Sequence, residues 1–281
     1  MPAIIINGRA IAEAILADLK GKIAILPQPP GLAAVLIGDD PASALYVKNK
    51  EKACDTIGIN FSKYFCGNEI MPTADQAAVL EAIGFLNRDP IIHAIIVQLP
   101  VPAGFDADTL IRAIDPAKDV DGFHPTSIQR FLAGQASAPP LVATILRLLE
   151  SVNCKLNGQR VVMIGKNQVL SQTLGKAVTD AGGSFHVVAA KDDALINQTT
   201  TGDVLISAVG WPNLVTGDLV KPGAVVIDVG ITRLPDGTYA GDVDAASVAN
   251  VASAYTPTPG GVGPVTVAML LQRVVELATK Q

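Results

Sequence analysis

The chain is poor in the residues that build metal sites and disulfide frameworks. Of its 281 residues only three are cysteine (Cys54, Cys66, Cys154) and three histidine (His93, His124, His186). The cysteines are odd in number and show no C-x-x-C spacing, so neither a disulfide framework nor a zinc site is expected, and a reducing compartment fits better. The histidines are scattered, which argues against a metal cluster. Charge is sparse too: charged residues make up 17%, the net charge is −5, and no block of Lys or Arg occurs. Sequence-independent nucleic-acid binding needs a basic stripe, so that class of partner is excluded. No apolar run approaches the about 20 residues of a membrane-spanning helix. The opening MPAIIINGRA lacks the charged n-region and apolar h-region of a signal peptide. A soluble, cytoplasmic chain acting on small molecules is the expectation.

What the sequence does have is core. Hydrophobic residues reach 49%, ample for one large or two modest domains. Short β-branched runs alternate with helical patterns throughout, the signature of an α/β protein with parallel sheets. Strands are expected at Gly31–Gly38, Ile59–Cys66 and Ile91–Gln98, and helices at Pro41–Ile57, Thr73–Asn87 and Asp106–Ile114. Thr73 or Asp75 is placed to cap the second of these helices. The Pro-rich GQASAPP at 134–140 reads as a boundary, followed by a linking helix at Leu141–Val152. Beyond it, strands are expected at Arg160–Gly165, Ser184–Ala190, Val204–Val209 and Ala224–Val229, with a helix at Ser171–Ala181. LPDG at 234–237 signals a hairpin turn, and Val265–Lys280 is an amphipathic helix carrying Met269, Leu270, Val274 and Leu277. The expected architecture is two lobes with a cleft between them. Residues 1–138 form an N-terminal α/β lobe completed by the C-terminal helix 265–281, and 139–264 form a Rossmann-like, doubly wound dinucleotide-binding lobe.

Two places invite chemistry. Tyr46 and Lys50 stand four residues apart in a helical stretch, which stacks them on one face. Lys48 and Lys52 flank Lys50, as on a solvated face. The alternative is a partly buried amine of lowered pKa that transfers protons. Spacing alone leaves both readings open. RVVMIGKNQVLSQTLGKAV at 160–178 has the strand–turn–helix shape that presents a helix N-terminus to phosphate. It is no G-x-G-x-x-G, however, and a plain βαβ crossover explains it equally well.

Four segments in order alter that balance: PASALYVKNK at 41–50, VQLPVP at 97–102, PAKDVDGFHP at 116–125 and TPTPGGVGPVTVAMLL at 256–271. With KPGAVVIDVGITR at 221–233 and GDVD at 241–244, they closely resemble the bifunctional methylenetetrahydrofolate dehydrogenase/methenyltetrahydrofolate cyclohydrolase family. The resemblance implies oxidation of 5,10-methylenetetrahydrofolate with NADP and hydrolysis of the methenyl product to 10-formyltetrahydrofolate, by a homodimer. It places the catalytic lysine at Lys50, with Tyr46 beside it, Gln98 orienting the amine, and Asp121 holding the pterin-like ring. Leu99 and the loop bearing Pro259, Gly260 and Gly263 line the folate pocket. Gly165, Lys166, Asn167, Lys191 and Ile231 fall to the cofactor, and no metal is implied. Each type suits its task. A carboxylate accepts paired N–H groups from an aminopyrimidine edge, and glycines let backbone approach a ligand. Without the resemblance, Gln98 reads as a strand-end polar group, and Asp119 and Asp121 as turn formers.

The nucleotide side departs from the family pattern. GKNQVLSQT at 165–173 replaces a loop close to GRSxxVGxP, and Ala189-Ala190-Lys191-Asp192-Asp193 stands where C-H-S-x-T is usual. PLVAT at 140–144 replaces the family's CTPxG. Lys166 and Lys191 can cradle a 2′-phosphate as point charges, whereas Asp192 and Asp193 would repel one, favouring NAD or no cofactor. The alternatives are a cyclohydrolase alone, a non-catalytic folate-binding protein, and an unrelated two-lobed dehydrogenase.

Overall fold

The computed structural model describes residues 3–66 and 75–280, and these fall into two compact units. One comprises Leu141–Thr266 with the described residues up to Ala12; the other comprises Glu13–Pro140 with the chain from Val267 onward. The Pro-rich 134–140 segment marks the division, but the opening residues depart from the expected 1–138 lobe. Ile4–Ile5 is a short strand paired in parallel with Ala254–Tyr255, so it belongs to the second unit's sheet. Two helices, Gly8–Ile23 and Val262–Ala278, are divided between the units.

In the Glu13–Pro140 unit, Gly31–Ile37 lies between Asn60–Cys66 and Ala94–Val97, all parallel. The middle strand comes first in sequence, so the winding reverses beside it. All seven of its residues are buried, and they sort by parity, as side chains alternating across a strand must. Leu32, Ala34 and Leu36 join Val47, Cys54, Ile57, Leu270, Leu271 and Val274 on one face. Ala33, Val35 and Ile37 join Val79, Ile83, Leu86 and Leu110 on the other. Burial on both faces explains why GLAAVLI reads as an unbroken apolar run. Beyond Ala94–Val97, Ile95 bridges in parallel to Asp119, which carries the sheet edge towards the KDVDG segment.

The helices of this unit are punctuated by their caps. Pro41–Ile57 opens on Asp40, whose carboxylate accepts the Ser43 amide at 2.8 Å, and closes on Gly58 at φ +89°, a left-handed turn that favours glycine. Gln76–Arg88 is capped by Asp75, which accepts the Ala78 amide; Thr73 lies outside the described residues. Pro125–Leu132 was not expected from periodicity. Its signal is chemical: Pro125 occupies the first turn, and the His124 ring accepts the Thr126 amide at 3.0 Å, an arrangement suited to proline at a helix start.

The Leu141–Thr266 unit carries a six-stranded parallel sheet. Its order is Ile4–Ile5, Ala254–Tyr255, Val225–Asp228, Val204–Ser207, Arg160–Ile164, Ser184–Val188. The winding reverses between Arg160–Ile164 and Val204–Ser207, and in doubly wound sheets ligands sit at the strands' carboxyl ends at such a point. The strands are shorter than expected by one or two residues. LPDG joins Thr232–Arg233 to Tyr239–Ala240 as an antiparallel hairpin. The helix expected from Ser171 begins at Gln168, because Asn167 caps it by accepting the Leu170 amide at 3.0 Å. Among the described residues no helix is long and apolar enough to cross a membrane, and no three potential metal-ligating side chains cluster.

Candidate active site

The helix Pro41–Ile57 presents its buried stripe at Ser43, Val47, Lys50, Cys54 and Ile57, the spacing of one helical face. Lys50 therefore sits where an apolar residue would ordinarily go. Lys48 and Lys52 are exposed and supply the solvated face, while Lys50 is only 8% exposed. Its Nζ donates to Gln98 Oε1 at 2.8 Å. Gln98 follows directly on Ala94–Val97, tied in by its amide to the Val35 carbonyl at 2.9 Å. Its side-chain Nε2 donates to the Leu99 carbonyl at 2.7 Å, which turns Oε1 towards the amine. Half of the Gln98 side-chain amide satisfies backbone, and the other half meets Lys50.

Burial lowers the Lys50 pKa below the usual lysine range, with the charge of Asp121 pulling the other way. Loss of hydration penalises the ammonium form, so the neutral amine gains ground. Cys54, one turn along and fully buried, is pushed up to about 12, chiefly by burial, and stays a thiol. Tyr46 is half-buried one turn before Lys50, as the four-residue spacing requires.

The two aspartates of the KDVDG segment divide the work. Asp119 is 2% exposed, and its carboxylate accepts the Gly122 amide at 3.1 Å and the His124 amide at 2.9 Å. It is the turn former. Asp121 keeps part of its surface accessible, and its carboxylate accepts no hydrogen bond from the described residues. Burial pushes its pKa up to about 6 against the pull of Lys50. An acceptor pair left open next to a buried amine can accept from N–H donors. Leu99 turns its side chain to the core and offers its carbonyl to Gln98.

The remaining predicted residues belong to the other unit. Pro259 is exposed, and Gly260 has φ +107° with Arg9 alongside. Open space surrounds the Cβ position of Gly263. A Cβ on Gly8 would collide with the Gly261 carbonyl, so the first helix starts hard against this loop. At the switch point, a Cβ on Gly165 would lie 3.2 Å from the Ala208 carbonyl and 3.0 Å from Met163 Cε, so the close packing of this turn favours glycine, and its amide donates to the Val188 carbonyl at 3.1 Å. Asn167 spends its side-chain oxygen on the cap. Lys166, Lys191 and Ile231 are exposed, and Asp192 is engaged in a turn, accepting the Ala194 amide at 2.8 Å. The N-terminus of Gln168–Asp180, whose first amides point out of the helix, and two exposed lysines form a donor set that fits an anionic dinucleotide.

Sequence reasoning missed the Asp40 and His124 caps and the roles of Asp228 and Asp242, described below. Asx or His directly before proline was the available signal for the caps.

Comparison with known proteins meets this geometry from outside. Residues 6–121 match the model of the tetrahydrofolate dehydrogenase/cyclohydrolase catalytic domain, and residues 139–281 match that family's NAD(P)-binding domain. The bifunctional protein FolD of Dechloromonas aromatica (strain RCB) is 42% identical, covering 100% of this chain and 99% of its own. The crystal structure of the bifunctional FolD enzyme of Campylobacter jejuni superposes with a TM-score of 0.93 at 37% identity, over 99% of each chain. The Trypanosoma brucei FolD structure, complexed with NADP cofactor and inhibitor, gives a TM-score of 0.93 at 29% identity, over 100% of this chain and 98% of that one. The chain therefore belongs to the tetrahydrofolate dehydrogenase/cyclohydrolase family and carries both its catalytic and its NAD(P)-binding domain.

Proposed function

We propose that this chain oxidises 5,10-methylenetetrahydrofolate to 5,10-methenyltetrahydrofolate with NADP and hydrolyses the product to 10-formyltetrahydrofolate. The observation that carries the reading is the buried Lys50–Gln98 pair beside the open carboxylate of Asp121. In the hydrolytic step Lys50 is the general base. Its burial favours the neutral amine, Gln98 fixes the direction of Nζ, and Nζ takes the proton of the water that adds to the methenyl carbon. Asp121 accepts from the N–H edge of the aminopyrimidine ring, and Tyr46 offers a ring face and a hydroxyl one turn from the amine.

NADP, when bound, takes up the hydride that leaves the methylene carbon. Toward it this chain contributes the tight turn at Gly165, the N-terminus of Gln168–Asp180, and the charges of Lys166 and Lys191. The NADP complex of the Trypanosoma brucei relative supports this half of the reading. The same reading makes the protein a cytoplasmic homodimer. Three free cysteines support a reducing compartment, and Ile4, Ile5 and Val187, exposed on the sheet's edge strands, support self-association.

Purified protein given methylenetetrahydrofolate should reduce NADP, and it should discharge the absorbance of methenyltetrahydrofolate. Failure to reduce either NADP or NAD removes the dehydrogenase half. Failure to hydrolyse removes the other.

A further inference from the structure

Two carboxylates outside the chemistry above are enclosed by donors. Asp242 is 0% and Asp228 2% exposed. Asp242 Oδ2 accepts the Ser207 hydroxyl at 2.7 Å and the Val209 amide at 2.8 Å, and its Oδ1 accepts the Trp211 amide at 2.7 Å. Asp228 Oδ1 accepts the amides of Gly230 and Asp242, both at 3.0 Å. Its Oδ2 accepts the Val243 amide at 3.1 Å and the Thr258 hydroxyl at 3.0 Å.

The seats of these carboxylates are glycines, and they are exchanged. A Cβ on Gly230 would collide with the Asp242 carboxylate, and one on Gly241 with that of Asp228. The segments Asp228-Val229-Gly230 and Gly241-Asp242 therefore clasp one another, each acid resting on the other's glycine. Neither glycine has a positive φ, so space, not backbone freedom, demands them. The clasp carries an electrostatic cost: burial, with the neighbouring Asp242 charge adding to it, pushes Asp228 up to about 6.

What the clasp holds is the loop leaving Val204–Ser207 at the switch point. Thr232 Oγ1 donates to the Gly210 carbonyl at 3.0 Å, which sets residues 210–211 beside 231–232. Trp211 and Ile231 are 47% and 46% exposed. A pinned backbone that leaves two large apolar side chains bare at a strand's carboxyl end is built to meet a flat ligand.

We propose that Asp242 is a positioning residue for the redox half-reaction: through the Val209 and Trp211 amides it fixes the loop that presents Trp211, beside Ile231, to the dinucleotide. The proposal rests on the dinucleotide reading given above. An aspartate is required because three donors converge on its two oxygens. An asparagine would turn an NH2 against an N–H or force the side chain out. Hydrolysis depends far less on Asp242, because Lys50, Gln98 and Asp121 stand on the other unit.

The test compares wild type, Asp242→Asn and Ser207→Ala in the full chain. Trp211 is the sole tryptophan, so acrylamide quenching of its fluorescence, read without nucleotide, reports the loop directly. In Asp242→Asn the quenching constant should rise about twofold and the KM for NADP about tenfold or more, with hydrolysis within about twofold of wild type. Ser207→Ala keeps the carboxylate and removes one donor, so both readouts should move the same way by about two- to threefold. If Asp242→Asn yields no folded protein, Ser207→Ala decides alone. Unchanged quenching and KM overturn the proposal, as does an equal loss of reduction and hydrolysis, which marks a general folding role. A wild type that reduces no NADP retires the dinucleotide reading and this proposal with it. An active wild type with indifferent variants retires the proposal only.

Discussion

Asp121 and Asp228 sit in different units, both with pKa pushed up to about 6 by burial, and do opposite work. Asp228 accepts four hydrogen bonds from its own chain, so its oxygens are spent on architecture. Asp121 accepts none from the described residues, so its oxygens are kept for something else. A raised proton affinity marks confinement in both cases and identifies neither role. The number of donors already present separates them. The same contrast runs between the units: one leaves an amine and a carboxylate under-used near a strand's carboxyl end, the other saturates its acids to hold loops in place.

The largest effect expected from breaking this contrast is at Lys50. Lys50→Met should cut methenyltetrahydrofolate hydrolysis by about 10²–10⁴-fold in kcat, with Trp211 fluorescence unaltered. Hydrolysis retained within about tenfold would discard the amine as the base.

The sharpest comparison pairs Asp121→Asn with Asp228→Asn. Asp121→Asn should raise the KM for folate about 10- to 100-fold while making the fold more stable at pH 8. The sign follows from linkage. The folded pKa of about 6 lies above the ordinary aspartate value of 3.8. The group's stabilising contribution is thus complete below the lower value and gone once pH has risen through the upper one. At pH 8 the buried charge is a burden, and removing it should gain on the order of 1–2 kcal/mol by denaturant unfolding. Asp228→Asn removes the same charge but breaks bonds to amide donors, so it should lose stability by about 1–3 kcal/mol. Matching signs in the two variants would dissolve the distinction. Smallest of all, Lys191→Ala should raise the KM for NADP about 3- to 10-fold, less at high salt, since an exposed cation is screened.

Much of the architecture was legible because periodicity is local. GLAAVLI announced a strand, and the helix expected at Pro41–Ile57 has those bounds, although its Asp40 cap went unread. Even the burial of Lys50 was written in the spacing of Val47, Lys50, Cys54 and Ile57, though the exposed Lys48 and Lys52 masked it. Partners chosen across the fold were not legible. Lys50 meets Gln98 only because the winding reverses beside Gly31–Ile37, and Asp119 differs from Asp121 only in which amides the following turn points at it. The late start assigned to the helix at 168 had a chemical cause, a capping asparagine that apolar spacing does not register. The clasp of Asp228 and Asp242 joins segments separated by a hairpin, and no pattern within either segment declares it.

The pairing of Ile4–Ile5 with Ala254–Tyr255 has its counterpart at the opposite terminus, where Leu270, Leu271 and Val274 complete the core around Gly31–Ile37. Each unit borrows a piece from the far end of the polypeptide. A cut at residue 140 would yield two fragments, each missing a strand or a helix that the other retains. Synthesis, likewise, must pass Ala254 before the first sheet can be completed and Val274 before the second core can close. The two units are interleaved in sequence, and neither is complete without residues that lie beyond the other along the chain.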